Sequence, residues 1–344
     1  MSELIPTSGF DAPPATSARP RVSIGMPLYN AQRFVEGTLD SILAQTFRDF
    51  ELVISDNGST DRTERICRHY AARDSRIRYH RNEVNRGAAW NHNRVLEFAC
   101  GEYFKWNSYD DRLAPEFLEK CVALLDATPE AVLCFSKFAD VDANGRAFRT
   151  KSPVGMWLPR PHERFSQLIR RHHTCEEVYG LVRLNVMRQT PGIAPYAISD
   201  KVLIVELALR GLFVEVPELL FFHGWHGENM GLQNPDPRDQ HVWFNPGSGR
   251  LVFPFWRLAW EYVRLLHRVP LPWSERMRCY KHLLKCQWDY RWDLYKDFSK
   301  PIWEFTIGFA KRYFPWTRTP WRKWKSFLES IRMAQAARAR RKAR

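Results

Sequence analysis

The sequence lacks several features that define other classes of protein. Its seven cysteines form no CxxC pair and follow no regular spacing, so neither a zinc site nor a disulfide scaffold is indicated. An odd, scattered set of thiols is typical of reduced cysteines in the cytosol. No apolar run reaches the ~18 residues of a membrane-spanning helix. Residues 1–20 show no basic segment followed by an apolar one, as a signal peptide would. We therefore expect a cytoplasmic protein without a spanning helix.

The composition is that of a globular chain whose positive charge is unevenly distributed. Of its 344 residues, 44% are hydrophobic and 26% are charged, which suffices for one large or two modest domains. The net charge is +14, but residues 311–344 alone contain 12 Lys or Arg residues and one acid, Glu329. We divide the chain into a flexible lead at 1–20, a main domain at 21–250 and a helical, aromatic and basic extension at 251–344.

Apolar strands alternate with helical patterns over much of the main domain. Alternation with short connections predicts βαβ units on a mainly parallel, Rossmann-like sheet flanked by helices. The predicted strands are 21–27, 50–55, 76–80, 103–106, 131–137 and 219–222. The predicted helices include one that starts at a capping box of Asp61 and Glu64, and others at 87–100, 115–126 and 201–210.

Three polar clusters follow successive predicted strands. They are Tyr29-Asn30, Asp56-Asn57 and Asp110-Asp111. The carboxyl ends of parallel strands lie at one edge of a sheet, where ligands bind in such folds. Each cluster alone is explained by a turn or a helix cap, but three at successive strand ends favour a binding site.

Four segments, in order along the chain, resemble the motifs of the family 2 glycosyltransferases. They are VSIGMPLYN, SILAQTFRDFELVISDNGSTD, NRGAAWNHN and WNSYDDRLAPEFL. Each is a weak match alone, but all four in the family's order make the region from Arg21 to Met230 similar to these enzymes. The resemblance implies a GT-A fold, a nucleotide-sugar donor and transfer with inversion at the anomeric carbon.

The resemblance also implies that the first two clusters bind the nucleotide. The ring of Tyr29 would stack on the base, a geometry that aromatic side chains favour. Asp56 would accept a hydrogen bond from the imide N–H of uracil or its equivalent; the alternative is a turn former in the Asp-Asn-Gly-Ser loop. The other residues expected to contact the donor are Pro27, Asn30, Asn85, Arg86, Gly87 and Asp110.

The acidic cluster is the candidate metal site. In the family, such acids hold Mg²⁺ or Mn²⁺, which offsets the charge of the diphosphate leaving group, and this implies the role for Asp110 and Asp111. Ser108 occupies the position of the first acid of the family's D-x-D motif, so one charge is missing here. His226 resembles a late histidine that completes the metal site in some relatives, and His223 is the alternative.

An inverting transfer needs a base that takes the proton of the acceptor hydroxyl. The family's base is an acid near the start of a helix, and Ser199-Asp200 before KVLIVELALRG resembles that segment. Asp200 is therefore the predicted base, with a role in helix capping as its alternative. Glu176 and Glu177 are candidate acceptor-binding acids.

The C-terminal region combines aromatic with basic residues. Residues 287–292, QWDYRW, have one residue too many for the Q-x-x-R-W motif of processive relatives, so we expect a single addition and not a polymerase. Basic residues beside Trp and Phe suit the surface of an anionic membrane, which predicts peripheral contact through 305–344. A solvated tail is the alternative, and nucleic-acid binding ranks last because no such module is present.

These features predict a metal-dependent transferase that moves one sugar from a nucleotide diphosphate, UDP in the first instance, to a hydroxyl of a lipid-linked or polysaccharide acceptor. It would work in the cytoplasm or at the cytoplasmic face of the inner membrane. Two rivals remain. A nucleotidyltransferase would show a glycine-rich basic loop where this chain has PLYNAQRF, and a non-catalytic nucleotide-sugar-binding protein is suggested only by Ser108.

Overall fold

The structure is a computed structural model in which the chain divides into two compact units, Met1–Asp289 and Tyr290–Arg344. In the second unit, residues 291–299 are helical. The elements named below belong to the first unit. The residues that the structure describes are 19–143, 145–151, 158–170, 175–225, 240, 243–244 and 253–299.

One mixed sheet organises the first unit. In the described ranges it has nine strands in the order β3-β2-β1-β4-β8-β6-β9-β5, with β7 paired to β6. Strands β3, β2, β1 and β4 are parallel to one another, as are β6 and β9, and the other pairs are antiparallel. The strands are β1 (Val22–Leu28), β2 (Phe50–Asp56), β3 (Ile77–Arg81), β4 (Tyr103–Trp106), β5 (Arg112–Leu113), β6 (Ala131–Val141), β7 (Ala147–Lys151), β8 (Leu181–Arg183) and β9 (Leu212–Gly224).

Helices pack against this sheet, with α3 on β1 and β2 and α4 on β6 and β9. None of the helices in the described part of the chain is long and apolar enough to cross a membrane. The helices are α1 (Val35–Leu43), α2 (Thr63–Ala71), α3 (Ala88–Phe98), α4 (Phe117–Ala127), α5 (Pro161–Arg170), α6 (Leu184–Met187), α7 (Ser199–Arg210), α8 (Pro254–Arg268) and α9 (Trp273–Asp289), and a short 3-10 turn covers Glu176–Tyr179.

The parallel half of the sheet forms the core. Every residue of β1 and β2 is buried, as expected for parallel strands whose two faces are covered. Helix α1 buries Val35, Leu39 and Ile42, which lie on one helical face. Because β1, β2 and β4 run in the same direction, their carboxyl ends lie at one edge, and that edge carries the predicted site.

The predicted α/β sheet with flanking helices is confirmed, but the predicted capping box of α2 is wrong. The helix begins at Thr63 without a side-chain cap. Asp61 instead accepts the N–H of Thr63 at 2.9 Å. Glu64 does not reach back to the helix start because it pairs with Arg68 and Arg81.

Other differences concern where elements begin and end. Pro115 lies before α4, which starts at Phe117, so the proline is not in its first turn. Strand β6 continues beyond Lys137 to Val141 because it pairs along β9. Helix α7 starts at Ser199, two residues before the predicted start, so Asp200 lies inside its first turn.

Candidate active site

The first two polar clusters lie side by side at the carboxyl edge of the sheet. Leu28 and Asp56 are register partners at the ends of β1 and β2. The N–H of Asn57 donates to the carbonyl of Leu28 at 2.9 Å. Pro27 is buried within β1, whereas Tyr29, the first residue beyond the strand, is 42% exposed. The Tyr29 ring is therefore accessible to a planar ligand.

Asp56 fixes the loop that follows β2. Its side chain is fully buried. One carboxylate oxygen accepts the N–H of Ser59 at 2.9 Å, and the other accepts the hydroxyl of Tyr79 at 2.7 Å. Burial, and then the Asp56 carboxylate, raise the pKa of Tyr79, so this hydroxyl keeps its proton and remains the donor. Because the oxygens of Asp56 are enclosed, a nucleotide base would reach their remaining lone pairs only after this loop moves.

Asn30 joins the loops that follow β1 and β2. Its backbone has φ = 50°, in the left-handed region that asparagine adopts more readily than most residues. Its N–H donates to the hydroxyl of Ser59 at 2.9 Å. Its side-chain oxygen accepts the N–H of Thr60 at 2.9 Å. Asn30 thus connects the loops that follow β1 and β2. The spacing of residues in the sequence does not predict this connection.

Asn57 holds the loop that contains Asn85, Arg86 and Gly87. Its buried amide donates to the side-chain oxygen of Asn85 at 2.8 Å, and its side-chain oxygen accepts the N–H of Arg86 at 3.1 Å. Asn85 and Arg86 are exposed, and the Arg86 guanidinium lies 4.9 Å from the centre of the Trp90 ring. The sequence placed Asn57 in a polar cluster without a role of its own; the structure shows it organising the third loop of the site.

The acidic motif follows β4 at the same edge. The hydroxyl of Ser108 donates to the carboxylate of Asp110. Asp110 is partly exposed, whereas Asp111 is fully buried. One oxygen of Asp111 accepts the N–H of Gly224 at 3.0 Å, and the other is buried with no hydrogen-bond partner among the described residues. A β-carbon at position 224 would lie 2.5 Å from the Asp110 carbonyl oxygen, so the approach of β9 requires glycine.

A buried lysine balances the buried acid. The side chain of Lys105, on β4, is fully enclosed and donates to the carbonyl of Tyr179. Its ammonium lies 4.9 Å from the ring centres of Phe117 and Phe221. Burial lowers the pKa of Lys105 and the Asp111 carboxylate opposes this change. The sequence interpretation gave this lysine no role, since a lone lysine in a strand carries no motif.

His223 is a histidine that the structure brings near the acids. Its ring nitrogen lies 3.1 Å from the carboxylate of Asp140. Burial alone would lower its pKa, but the charge of Asp111 and the hydrogen bond to Asp140 outweigh burial and raise it. His226 lies outside the described residues. Within those that are described, no group of three or more His, Cys, Asp or Glu side chains has metal-binding geometry, so the metal set of Asp110, Asp111 and His226 remains a prediction.

The predicted base stands in the first turn of α7, and burial raises its pKa. The N–H and charge of Lys201 oppose the rise at Asp200 only in part. The residue before the helix, Ile198, has φ = 64°, which is uncommon for a β-branched residue. Cys175, before the 3-10 turn, has φ = 61°. Left-handed backbone at non-glycine residues requires support from the surrounding structure and concentrates at functional sites.

Tyr179 connects the acidic motif with the predicted base. Burial raises its pKa well above the usual range, and the next contributions come from Asp111, Asp110, Asp200 and Glu176. The carbonyl of Tyr179 accepts a hydrogen bond from the Lys105 ammonium, and the 3-10 turn of Tyr179 packs against both β4 and α7. This turn therefore lies between the strand that leads to the acidic motif and the helix that carries Asp200. That these residues share one site stays a prediction.

A pair of hydrogen bonds joins α3 to the segment before α7. The Asn93 amide donates to the carbonyl of Ile193 at 2.8 Å, and its oxygen accepts the N–H of Ile193 at 2.9 Å. The adjacent Gly192 has φ = +65°, and a β-carbon there would lie 2.3 Å from the Asn93 side-chain oxygen. The helix that follows the Asn85–Gly87 loop is thereby fixed to the approach to Asp200.

Comparison with known sequences identifies the class to which this site belongs. Residues 23–184 match the model of glycosyl transferase family 2. The resemblance of this region to family 2, which its motifs predicted, is confirmed.

The named relatives match only part of their own length. EpsE of Bacillus subtilis (strain 168), a protein named as a glycosyltransferase, is 40% identical over 108 residues, which are 31% of this chain and 39% of EpsE. Chondroitin synthase of Escherichia coli is 26% identical over 220 residues, which are 63% of this chain and 31% of that protein. The chain thus spans well under half the length of these relatives.

Solved structures share the fold. Residues 1–349 of Staphylococcus aureus TarS in complex with UDP-GlcNAc align with a TM-score of 0.58 at 17% identity, over 78% of this chain and 73% of that one. Mannosyltransferase PcManGT from Pyrobaculum calidifontis, in complex with GDP-Man and Mn²⁺, aligns with a TM-score of 0.51 at 17% identity, over 93% and 87%. The predicted GT-A fold is confirmed.

Proposed function

We propose that the chain is an inverting glycosyltransferase that moves one sugar from a nucleotide diphosphate to an acceptor hydroxyl. The observation that carries the proposal is the position of the 3-10 turn of Tyr179, which packs against β4, the strand before the acidic motif, and against α7, which carries the base candidate Asp200. The match to the family model supports the reaction class. The complexes of TarS with UDP-GlcNAc and of PcManGT with GDP-Man support a nucleotide-sugar donor.

The loops after β1, β2 and β3 would bind the nucleotide. The exposed ring of Tyr29 offers a stacking surface for the base, and Pro27 and Asn30 fix the loop that presents it. The exposed guanidinium of Arg86 carries the positive charge that a diphosphate needs. Asp56 would contribute through its remaining lone pairs once its loop has moved.

The acidic motif fits a hard divalent cation, Mg²⁺ or Mn²⁺. Asp111 presents a buried oxygen that no described group satisfies, and such an oxygen is a ligand that these cations prefer. Asp110, which is partly exposed, would bind the cation directly, and His226 would complete the set. The bound cation would offset the charge of the leaving diphosphate. Ser108 orients Asp110 through its hydrogen bond without adding charge.

Asp200 would take the proton of the acceptor hydroxyl as the oxygen attacks the sugar. Because burial raises its pKa, its carboxylate is a stronger base than that of an exposed aspartate. Glu176, which is partly exposed, would bind the acceptor, whereas Glu177 is buried. The acceptor would be lipid-linked or a polysaccharide. The reaction would occur in the cytoplasm or at the inner membrane, with contact through residues 305–344, which lie outside the described ranges.

Incubation of the protein with Mn²⁺ and a panel of nucleotide sugars tests the donor. Slow release of free nucleotide from one donor supports the transferase. Release of pyrophosphate from nucleoside triphosphates would support a nucleotidyltransferase. Binding of a nucleotide sugar without any turnover, even with glycan acceptors, would support the non-catalytic rival.

Asp200→Asn tests the base. We expect kcat to fall by about a thousandfold, because proton transfer is lost, while the Kd for the donor stays unchanged. Asp49→Asn, at an exposed position before β2, is the matched control and should retain full activity. Full activity of Asp200→Asn would reject the assignment.

A further inference from the structure

The exposed face of α8 combines aromatic and basic side chains. Trp260 is 60% exposed and the Arg264 side chain is 53% exposed. His267 is exposed as well. Intervals of four and three residues place the three on one face. The opposite face buries Tyr262 and Leu265 against the rest of the unit.

Helix α9 has a face of the same kind. Trp273 and Leu284 are 70% and 71% exposed, and their separation of eleven residues is close to three full turns. Lys281 and Lys285 are exposed on the same side of the helix. The two helices meet where the hydroxyl of Tyr280 and Nε2 of His267 lie 2.8 Å apart. We call this surface the aromatic–basic face and define it by Trp260, Arg264, Trp273, Lys281, Leu284 and Lys285.

Acidic side chains offset only part of the charge of this face. Arg264 pairs with Glu261 at 3.3 Å, whereas Lys281 and Lys285 pair with no acid among the described residues. Residues 254–289 contain seven Lys or Arg residues and three acidic ones. The side chains of Glu261 and Glu275 are only 7% and 14% exposed, whereas Asp289 is exposed at the end of α9. The face therefore presents indole rings and positive charge together.

The charge of the chain limits what covers this face. Residues 311–344 carry 12 Lys or Arg residues and one acid, so that segment would be repelled. A second copy of the same face would be repelled for the same reason. A soluble polyanion would satisfy the charges but leave the rings of Trp260 and Trp273 in water. A bilayer interface with anionic headgroups satisfies both, since indoles favour that depth and Lys or Arg gain from the surface potential.

We propose that the aromatic–basic face binds the interface of an anionic lipid bilayer. The membrane contact is inferred from helices α8 and α9 alone. Its value for catalysis, which is to bring the site close to a lipid-linked acceptor, rests on the proposed function.

Flotation of the full chain with lipid vesicles tests the proposal. We expect binding to vesicles that contain phosphatidylglycerol, no binding to pure phosphatidylcholine, and weaker binding in high salt. Trp260→Ala with Trp273→Ala should lower the partition coefficient about tenfold. Lys281→Glu with Lys285→Glu should lower it at least about fivefold for each lysine lost.

Two controls separate this face from other sources of binding. Arg62→Glu with Arg65→Glu makes the same change in net charge at exposed positions around the start of α2 and should leave binding nearly unchanged. An equal loss in both charge variants would overturn the proposal in favour of unspecific attraction. If neither face variant reduced flotation and truncation at Lys311 abolished it, the C-terminal segment alone would be the membrane contact and the proposal would also fail.

Tryptophan fluorescence distinguishes a bilayer from a soluble polyanion. Brominated phosphatidylglycerol should quench the wild-type chain more than the variant that lacks Trp260 and Trp273. Equal quenching in both, or binding of dextran sulfate with no quenching by lipid, would overturn the proposal. Donor binding, measured on the same variants, should be unchanged, so a negative membrane result leaves the proposed transferase activity standing.

Discussion

The donor and acceptor sides of the candidate site are built in different ways. On the donor side, Asn30, Asp56 and Asn57 hold the loops through hydrogen bonds whose donors and acceptors are satisfied. On the acceptor side, burial raises the pKa of Asp200, and Ile198, a β-branched residue, has a left-handed backbone that costs more there than at Asn30 on the donor side. The donor side is thus preorganised for binding, whereas the acceptor side holds charge and backbone strain at a cost to stability.

Two contacts join these sides. Lys105, on β4, donates to the carbonyl of Tyr179 in the 3-10 turn. Asn93, on α3, holds Ile193 before α7. Removal of either contact should disturb the relation between donor and acceptor sides, so these positions offer the strongest tests of the comparison.

The largest effect on stability should come from Lys105→Met. The substitution leaves the buried Asp111 carboxylate without its compensating charge, which costs about 3–5 kcal/mol of unfolding free energy. Burial lowers the pKa of Lys105 and raises that of Asp111, so the deficit should be largest near neutral pH and shrink on both sides, in acid as Asp111 takes up a proton and in alkali as Lys105 loses its own. Urea unfolding across that pH range measures it. Lys137→Met, at a partly exposed position of β6, is the control, and a deficit independent of pH would contradict the pairing.

Gly192→Ala should have the next largest effect. A β-carbon at φ = +65° is strained and would lie 2.3 Å from the Asn93 oxygen, so we expect a loss of about 2–3 kcal/mol. Gly145→Ala is the matched control: it has φ = +79° but would meet only the flexible end of Arg112, at 3.1 Å, and should cost about 1 kcal/mol. Equal losses in thermal unfolding would show that the contact with Asn93 adds nothing.

A smaller effect, confined to the donor side, is expected for Asn57→Ala. The loop of Asn85, Arg86 and Gly87 would lose its three hydrogen bonds to the Asn57 side chain, and we expect the Kd for the donor to rise about tenfold (about 1.4 kcal/mol). The kcat at saturating donor should hardly change. Asn82→Ala is the control, because Asn82 lies in the same loop between β3 and α3 but donates to Ser55. If kcat fell while the Kd for the donor stayed unchanged, Asn57 would act on the acceptor side and not on the donor side.

Patterns along the chain predict the donor side better than the acceptor side. The strand ends that carry Tyr29, Asp56 and Asp110 follow from βαβ topology, because parallel strands end at one edge. The bond from Tyr79 to Asp56 depends on strand register, which the periodicity of a strand leaves open. No local pattern predicts that Lys105 faces the interior, since a single lysine fits either side of a strand.

The backbone at Ile198 shows a second limit of sequence patterns. Its left-handed conformation is imposed by the surrounding structure and contradicts the preference of a β-branched residue. Sequence patterns express local preference, so they fail where packing overrides it. The resemblance to family 2 supplied Asp200 as the candidate base from a motif and not from backbone geometry, and that assignment stays a prediction.

The smallest effects should appear in the pH dependence of stability, with opposite sign at Glu51, a buried acid near the start of β2, and at Asp200. Burial alone would raise the pKa of Glu51, but hydrogen bonds from Ser23, Cys100 and Arg78 outweigh it and lower the pKa below 4.5. Glu51 therefore stabilises the fold above its unfolded pKa and loses this effect as pH falls through its lowered folded pKa. Glu51→Gln should cost about 1 kcal/mol at neutral pH and less at acid pH.

Asp200→Asn should show the reverse. Because the folded pKa of Asp200 is raised above 3.8, its ionisation destabilises the fold as pH rises, and the variant should be more stable than wild type by about 1 kcal/mol at neutral pH. That difference should vanish in acid, where the wild-type carboxyl is protonated. Denaturant unfolding of Glu51→Gln and Asp200→Asn at neutral and acid pH measures how the free energy of unfolding of each variant changes with pH. If Asp200→Asn lost stability at neutral pH, the residue would be a structural cap of α7 and the contrast between the two sides would disappear.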